Sequence, residues 1–330
     1  MTDFATPQIV DDVRDLRVRD HIVTIGTFDG VHRGHAHLIE RVVTRARELD
    51  LPALIVTFEP VPAQVLRPQL FPGRLCSAAS KLDQLAQSGV DAVAVLPFTL
   101  EFSQLGPEAF MAQLVRYARP REVWVGEAFA VGRNRTGNVD RLREIGRELR
   151  YRLVAVPRLT EDDAVISSSA IRQQIAAGHP DEAAGALGRW FRLEGEVIHG
   201  AHVGRTIGFP TANVVPPAEI VALPDGIYAT FAGLPHRSGR LPAMTYIGTR
   251  PALNSGERLI ETHILDFDED IYGRWITVDF VSHLRGDANF PGVDALVAQL
   301  RADEVATRAV LGGVSDRQAP ALASASLSAN

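Results

Sequence analysis

The chain has 330 residues, enough for two hydrophobic cores, and its 46% hydrophobic and 22% charged content is that of an ordinary globular protein. Its 34 basic and 40 acidic side chains give a formal charge of −6, which supplies no general attraction for nucleic acid or an anionic membrane. No apolar run is long enough to span a bilayer, the start MTDFATPQIVDDVRDL lacks a signal-peptide core, and the single cysteine, Cys76, forbids an internal disulfide, so a cytoplasmic, reducing location is expected.

The first half alternates buried strands with helical stretches. HIVTIG predicts a strand, TFDG a turn, and residues 34–49 an amphipathic helix. LPALIVTF, DAVAVLPF, REVWVG and YRLVAVP follow as apolar runs separated by helix-like sequence, a pattern that implies a parallel sheet with right-handed crossovers. Lys81 is the only lysine in the chain, and composition alone reads this as a bias toward arginine, which also suits phosphate recognition. SAIRQQIAAG is expected to be the last helix of this half, stopped by Gly178 and Pro180.

Two segments of this half carry candidate chemistry. GTFDGVHRGH, residues 26–35, sits where a buried strand ends and a helix opens, the place where open α/β sheets bind ligands and where free N–H groups favour a phosphate. His32 and His35 are three apart on one face, and Gly34 between them removes a side chain where a phosphate would approach. Two imidazoles aimed at an α-phosphate can stabilise the charge that develops in nucleotidyl transfer. A surface turn with two helix-start histidines is the plainer reading. ISSSAIR, residues 166–172, opens the last helix, where the hydroxyls of Ser167, Ser168 and Ser169 and the charge of Arg172 can grip phosphates, or one serine can simply be an N-cap. Gly126 and residues 132–137, with Arg133 and Arg135, either line the same cleft or form a solvated loop.

After about Leu187 the pattern becomes short alternating strands: FRLEGEVIHG, GIYATFAGL, PAMTYIG, RLIETHILDF and RWITVDFVSHL, a spacing that favours an antiparallel barrel. VDALVAQLRADEVATRAVL predicts a closing helix, and the Ala/Ser-rich residues 312–330 are expected to be disordered. GEVIHGAHVGRTIGFPTAN, residues 195–213, has glycines that permit a tight loop and close approach of phosphates to backbone N–H groups. Thr211 and Asn213 offer the oxygen ligands that Mg2+ prefers. Glu261 shares a strand face with Leu259, His263 and Leu265 by period-two alternation. It reads either as a base for an attacking hydroxyl or as a cross-strand partner for an arginine.

At these residues the chain resembles a known family. GTFDGVHRGH with ISSSAIR is similar to the adenylyltransferase half of prokaryotic bifunctional FAD synthetase (riboflavin kinase/FMN adenylyltransferase), a member of the HxGH nucleotidyltransferases. The C-terminal segments GEVIHGAHVGRTIGFPTAN, IGTRP, ETHILDFDEDIYG and FVSHLRGDANF resemble its riboflavin kinase module. The resemblance implies a Rossmann-like domain at 1–186 with a parallel sheet, a six-stranded antiparallel barrel with a terminal helix at 187–311, and a tail at 312–330. It implies riboflavin, FMN and ATP as substrates, with Mg2+. Gly26, Phe28, Gly34, Ser167, Ser168, Ser169 and Arg172 would hold the nucleotide, with His32 and His35 at its phosphates. Gly200, Gly204, Arg205, Gly208 and Pro210 would frame the kinase loop, with Thr211 and Asn213 at the metal, Glu261 on the riboflavin 5′-hydroxyl and Arg285 near the flavin. Three positions depart from the family's usual pattern: Val61 replaces a histidine, Ala128 a polar residue, and Asn289 a lysine. The first two remove hydrogen-bonding capacity beside the expected cleft. A kinase with a silent or redirected transferase half is therefore the alternative, and a non-enzymatic flavin-binding module a third reading.

Overall fold

The structure, a computed structural model, describes residues 6–17, 19–161, 164–200, 203–249 and 258–314. Ala201, His202, Arg250, Pro251 and the tail from 315 on, which was expected to be disordered, lie outside the described residues. The chain divides into two compact units, Met1–Pro72 with Ser77–Ser167, and Gly73–Cys76 with Ser168–Asn330.

In chain order the first unit contains β1 (Gln8–Val10), β2 (His21–Ile25), α1 (Arg33–Glu48), β3 (Ala53–Glu59), α2 (Pro62–Leu66), α3 (Ala78–Ala86), β4 (Ala92–Pro97), α4 (Pro107–Ala118) and β5 (Pro120–Gly126). A hairpin of β6 (Ala130–Val131) and β7 (Gly137–Asn138), then α5 (Val139–Leu149), β8 (Arg152–Val156) and a hairpin of β9 (Thr160–Glu161) and β10 (Ala164–Val165) complete it. Six strands pair in parallel in the order β1-β4-β3-β2-β5-β8. β2 is buried along its whole length because helices cover both sheet faces. Ile22, Ile55 and Val93 pack with α1 and α3, while Val23, Ile25, Leu54 and Val56 pack with α4 and α5. The three-residue edge strand β1 carries too little pattern to be read from sequence. Side-chain caps set helix starts: Ser77 accepts from Ser80 N–H at 3.0 Å for α3, and Asn138 from Arg141 N–H at 2.9 Å for α5.

The second unit contains α6 (Ser168–Ala176), α7 (Pro180–Leu187), β11 (Phe191–Ile198), α8 (Val203–Thr206), β12 (Ala212–Val214), β13 (Gly226–Gly233), β14 (Arg240–Thr249), β15 (Arg258–Ile264), β16 (Trp275–Gly286) and α9 (Val293–Leu311). The strands close a six-stranded antiparallel barrel in the order β11-β12-β15-β14-β13-β16. Its interior carries apolar residues plus a row of buried threonines, with the Thr230 and Thr245 hydroxyls 2.8 Å apart and those of Thr245 and Thr262 3.1 Å apart. α9 covers β13, β14 and β16 from outside.

One expectation changes here. SAIRQQIAAG is not the last helix before the barrel, because Pro180 starts α7 rather than ending a helix: at N1 its missing N–H has no partner to lose. Both α6 and α7 also count with the barrel, since Ile171, Ile175, Ala183 and Leu187 join its core. The compact division falls at 167/168.

Candidate active sites

The first site is a turn between β2 and α1. Phe28, Gly30 and Val31 all take positive φ (51°, 78° and 36°), which folds Phe28 back under the strand end. A Cβ on Gly26 would sit 2.8 Å from Phe28 Cζ, so glycine is what lets this ring lie there. His32 is the N-cap of α1, its Nδ1 accepting the His35 N–H at 3.3 Å, and it is buried. The two imidazoles stack at 3.6 Å with an 18° interplanar angle, and Phe28 meets His35 edge-on at 5.2 Å. Gly34 makes room for the His32 ring: its Cβ would lie 3.2 Å from His32 Nδ1 and 3.5 Å from Ile166 O. Arg33 donates to both Glu161 oxygens at 2.9 and 2.8 Å, which ties the helix start to the β9–β10 hairpin. Ser167 follows Ile166 directly in the chain. Ser168, Ser169 and Arg172 stand in α6 of the second unit, where Arg172 Nε donates to Gly73 O at 2.6 Å.

Of the departures, Val61 is a buried N-cap of α2 without a side-chain cap bond, and Ala128 is exposed in the turn closed by Phe129 N–H on Gly126 O at 2.9 Å. Arg135 Nη2 donates to Ala128 O at 3.3 Å, so this arginine is engaged within its own loop. Sequence reasoning missed Lys81, which is buried against the ends of β2 and β3. Its position on the inward face of α3 beside Leu85 was the available signal.

The second site is a cleft of about 450 Å³ in the barrel unit, whose walls include Gly204, Arg205, Pro210, Thr211, Asn213 and Thr262. Strand register sets Asn213, one of these wall residues, directly opposite Glu261, and Glu261 opposite Tyr246. Glu261 and His263 are half-buried while Ile260, Thr262 and Ile264 are buried, so the carboxylate faces outward from the barrel, not along an apolar face. His263 Nδ1 donates to Pro210 O at 2.7 Å and holds the loop to β15, a role the sequence did not reveal.

The loop itself is compact. Phe209 N–H donates to Gly204 O at 2.8 Å, and a Cβ on Gly204 would collide with Phe209 O. Gly208 has φ +85°, and Gly200 abuts the Asn213 amide. Thr211 and Asn213 present uncharged oxygens at the cleft, a donor set that fits a hard cation. Arg285 does not reach out freely. Its Nε and Nη2 bind Asp303 of α9 at 3.0 and 2.7 Å, and its Nη1 donates to Gly286 O at 3.0 Å.

Residues 15–170 match the family model described as FAD synthetase, and residues 187–311 the one described as riboflavin kinase. The chain is 36% identical over 293 residues to the bifunctional riboflavin kinase/FMN adenylyltransferase of Escherichia coli (strain K12), covering 88% of this chain and 93% of that protein. It is 35% identical over 307 residues to the protein of the same description from Pseudomonas fluorescens, covering 92% and 97%. A solved structure described as a macrolide-efflux protein from Streptococcus pneumoniae matches with a TM-score of 0.82 at 30% identity, over 92% of this chain and 99% of that one. Among the described residues no helix is long and apolar enough to cross a membrane.

Proposed function

The chain belongs to the bifunctional riboflavin kinase/FMN adenylyltransferase family, and on that premise we propose how its residues carry the two reactions, riboflavin plus ATP to FMN, then FMN plus ATP to FAD. The observation that carries the reading is the register that sets Asn213, a wall residue of the glycine-framed cleft, directly opposite Glu261 on the neighbouring strand.

In the kinase reaction Glu261 accepts the proton of the riboflavin 5′-hydroxyl as that oxygen attacks the γ-phosphorus of ATP and ADP leaves. Gly200, Gly204, Arg205, Gly208 and Pro210 frame the triphosphate, and His263 keeps their loop against β15. Thr211 and Asn213 would hold Mg2+, which when bound offsets the phosphate charge. Arg285, tied to α9, contributes to the flavin wall rather than acting as a mobile arm.

In the transferase reaction a phosphate oxygen of FMN attacks the α-phosphorus of ATP and pyrophosphate leaves. His32 and His35, at the positive end of the α1 dipole, stabilise the charge that builds on the α-phosphate. Gly26 and Phe28 shape the floor of the turn, Gly34 leaves the approach open, and Ser167, Ser168, Ser169 and Arg172 bind the remaining phosphates. The functional domains are 1–186 and 187–311, and the enzyme works in the cytoplasm.

The stacked histidine pair favours two working activities over a kinase with a silent transferase. Purified protein given riboflavin and Mg·ATP is expected to yield FMN and then FAD by chromatography. Glu261→Ala should abolish FMN formation while FAD formation from supplied FMN continues. Unchanged FMN production by that variant would remove Glu261 as the base, and absence of FAD from wild-type protein would leave the kinase alone.

A further inference from the structure

The chain has 34 basic residues, and subtracting the one lysine leaves 33 arginines. That lysine, Lys81, is 1% exposed on the inward face of α3. Burying a cation is prohibitive without partners, and Lys81 has a converging set of them. Its Nζ lies 2.5 Å from Glu59 Oε1 and donates to Phe58 O at 3.0 Å, Thr57 Oγ1 at 3.3 Å and Thr27 O at 3.3 Å. The Thr57 hydroxyl in turn donates to Thr27 O at 3.1 Å. All four partners stand at the carboxyl ends of β2 and β3, where this sheet class presents its ligands.

The geometry explains the residue type. Oxygens that gather around one point suit a compact ammonium with three donors, whereas the planar fork of arginine spreads its donors over several ångströms. A chain that otherwise uses arginine throughout therefore keeps a lysine here for a physical reason. The contact with Thr27 matters most. Thr27 is the last residue before Phe28, whose left-handed backbone (φ 51°) starts the turn and whose ring packs edge-on against His35 at 5.2 Å. His35 then stacks on His32. A continuous set of contacts runs from the ammonium through Thr27 and Phe28 to both imidazoles.

We propose that Lys81 is a positioning residue for adenylyl transfer, its ammonium clamping the ends of β2 and β3 so that Phe28 holds the His32–His35 pair against the reacting phosphate. This rests on the transferase reading of the first unit and adds to it a residue that touches no substrate.

The test uses full-length protein and measures FAD formation from FMN, FMN formation from riboflavin, and thermal unfolding on the same preparations. Lys81→Met should lower kcat for FAD formation about a hundredfold, the size of effect that a displacement of about 1 Å produces, with KM for FMN and ATP changed less than about threefold. FMN formation should stay at the wild-type rate. Lys81→Arg should fail to restore kcat although it restores charge. Thr57→Val, which keeps the ion pair and removes only the bridging hydroxyl, should lower kcat without a large change in unfolding temperature, and it decides the matter if Lys81→Met does not fold.

The double variant Lys81→Met/Glu59→Gln, compared with Glu59→Gln alone, separates the roles. It should regain stability by removing the buried ammonium together with its partly buried carboxylate partner, yet stay slow because Thr27 O and Phe58 O are still released. Recovery of kcat together with stability would reduce Lys81 to a buried charge partner and overturn the proposal, as would full activity in Lys81→Met or Thr57→Val. Labelling with 15N-lysine gives one side-chain signal from the whole chain. It should exchange slowly with water and shift on saturation with Mg·ATP, and a fast-exchanging, unshifted signal would also defeat the clamp. If wild-type protein makes no FAD, the transferase reading fails, while the 15N signal still decides whether the clamp exists.

Discussion

His32 has two separable jobs, and a pair of substitutions divides them. It caps α1 through Nδ1 on the His35 N–H, and it presents an imidazole to the proposed phosphate position. Replacing an N-cap by alanine costs about 1 kcal/mol, which for a domain of this size lowers the unfolding temperature by about 2–4 °C. That is a small part of a stability of about 5–15 kcal/mol, so His32→Ala should remain folded. Losing a donor preorganised for the transition state costs about 3 kcal/mol, or roughly a hundredfold in rate. His32→Asn restores the cap, since asparagine is among the best capping residues, but not the imidazole. The expected result is that both variants lose about a hundredfold in FAD formation from FMN, that only His32→Ala unfolds earlier, and that riboflavin phosphorylation is unchanged in both. The assay is FAD chromatography alongside a thermal melt. If His32→Asn kept FAD formation within about threefold of wild type, the imidazole would have no role in the chemistry and the catalytic argument for this site would fall.

Gly204→Ala should disable the kinase alone. The added Cβ collides with Phe209 O, so the turn that leads into Thr211 and Asn213 must yield by about 1 Å, and kcat/KM for riboflavin should drop about a hundredfold while FAD formation from FMN is kept. Normal phosphorylation by this variant would show that the loop does not set the geometry. A pH effect follows from His21, whose pKa is held below the usual value by burial, although its hydrogen bond to Ala118 O at 2.6 Å acts the other way. The unfolded chain takes up a proton near pH 6.5 that the folded protein resists, so the stability is complete above that pH and falls as pH drops through it. Melting curves between pH 7.5 and 5.5 should show a smaller loss for His21→Gln than for wild type, and equal losses would remove His21 as a source of acid sensitivity.

Much of this protein could be read from local pattern. Continuous apolar runs such as LPALIVTF announced strands covered on both faces, and alternating runs such as FRLEGEVIHG announced a barrel with a solvated side, because burial on one face or two leaves different periods in the sequence. The positions of GTFDGVHRGH at a strand end and of the Gly-rich loop before PTAN were legible for the same reason: turn glycines, caps and strand ends are properties of neighbouring residues.

What the tertiary structure decided concerns partners far apart in the chain. β12 is three residues long, too short to alternate, and becomes the sixth barrel strand only by pairing with β11 and β15. That pairing, not any feature near residue 261, sets Glu261 beside Asn213. Pro180 reads as a helix stop until packing of Ala183 and Leu187 makes it a helix start. Arg285 and Asp303, and Lys81 with Thr27 and Glu59, meet only after folding. Periodicity records which face of an element is buried, but a buried charge is made tolerable by atoms that other elements bring to it, and only the folded chain specifies those.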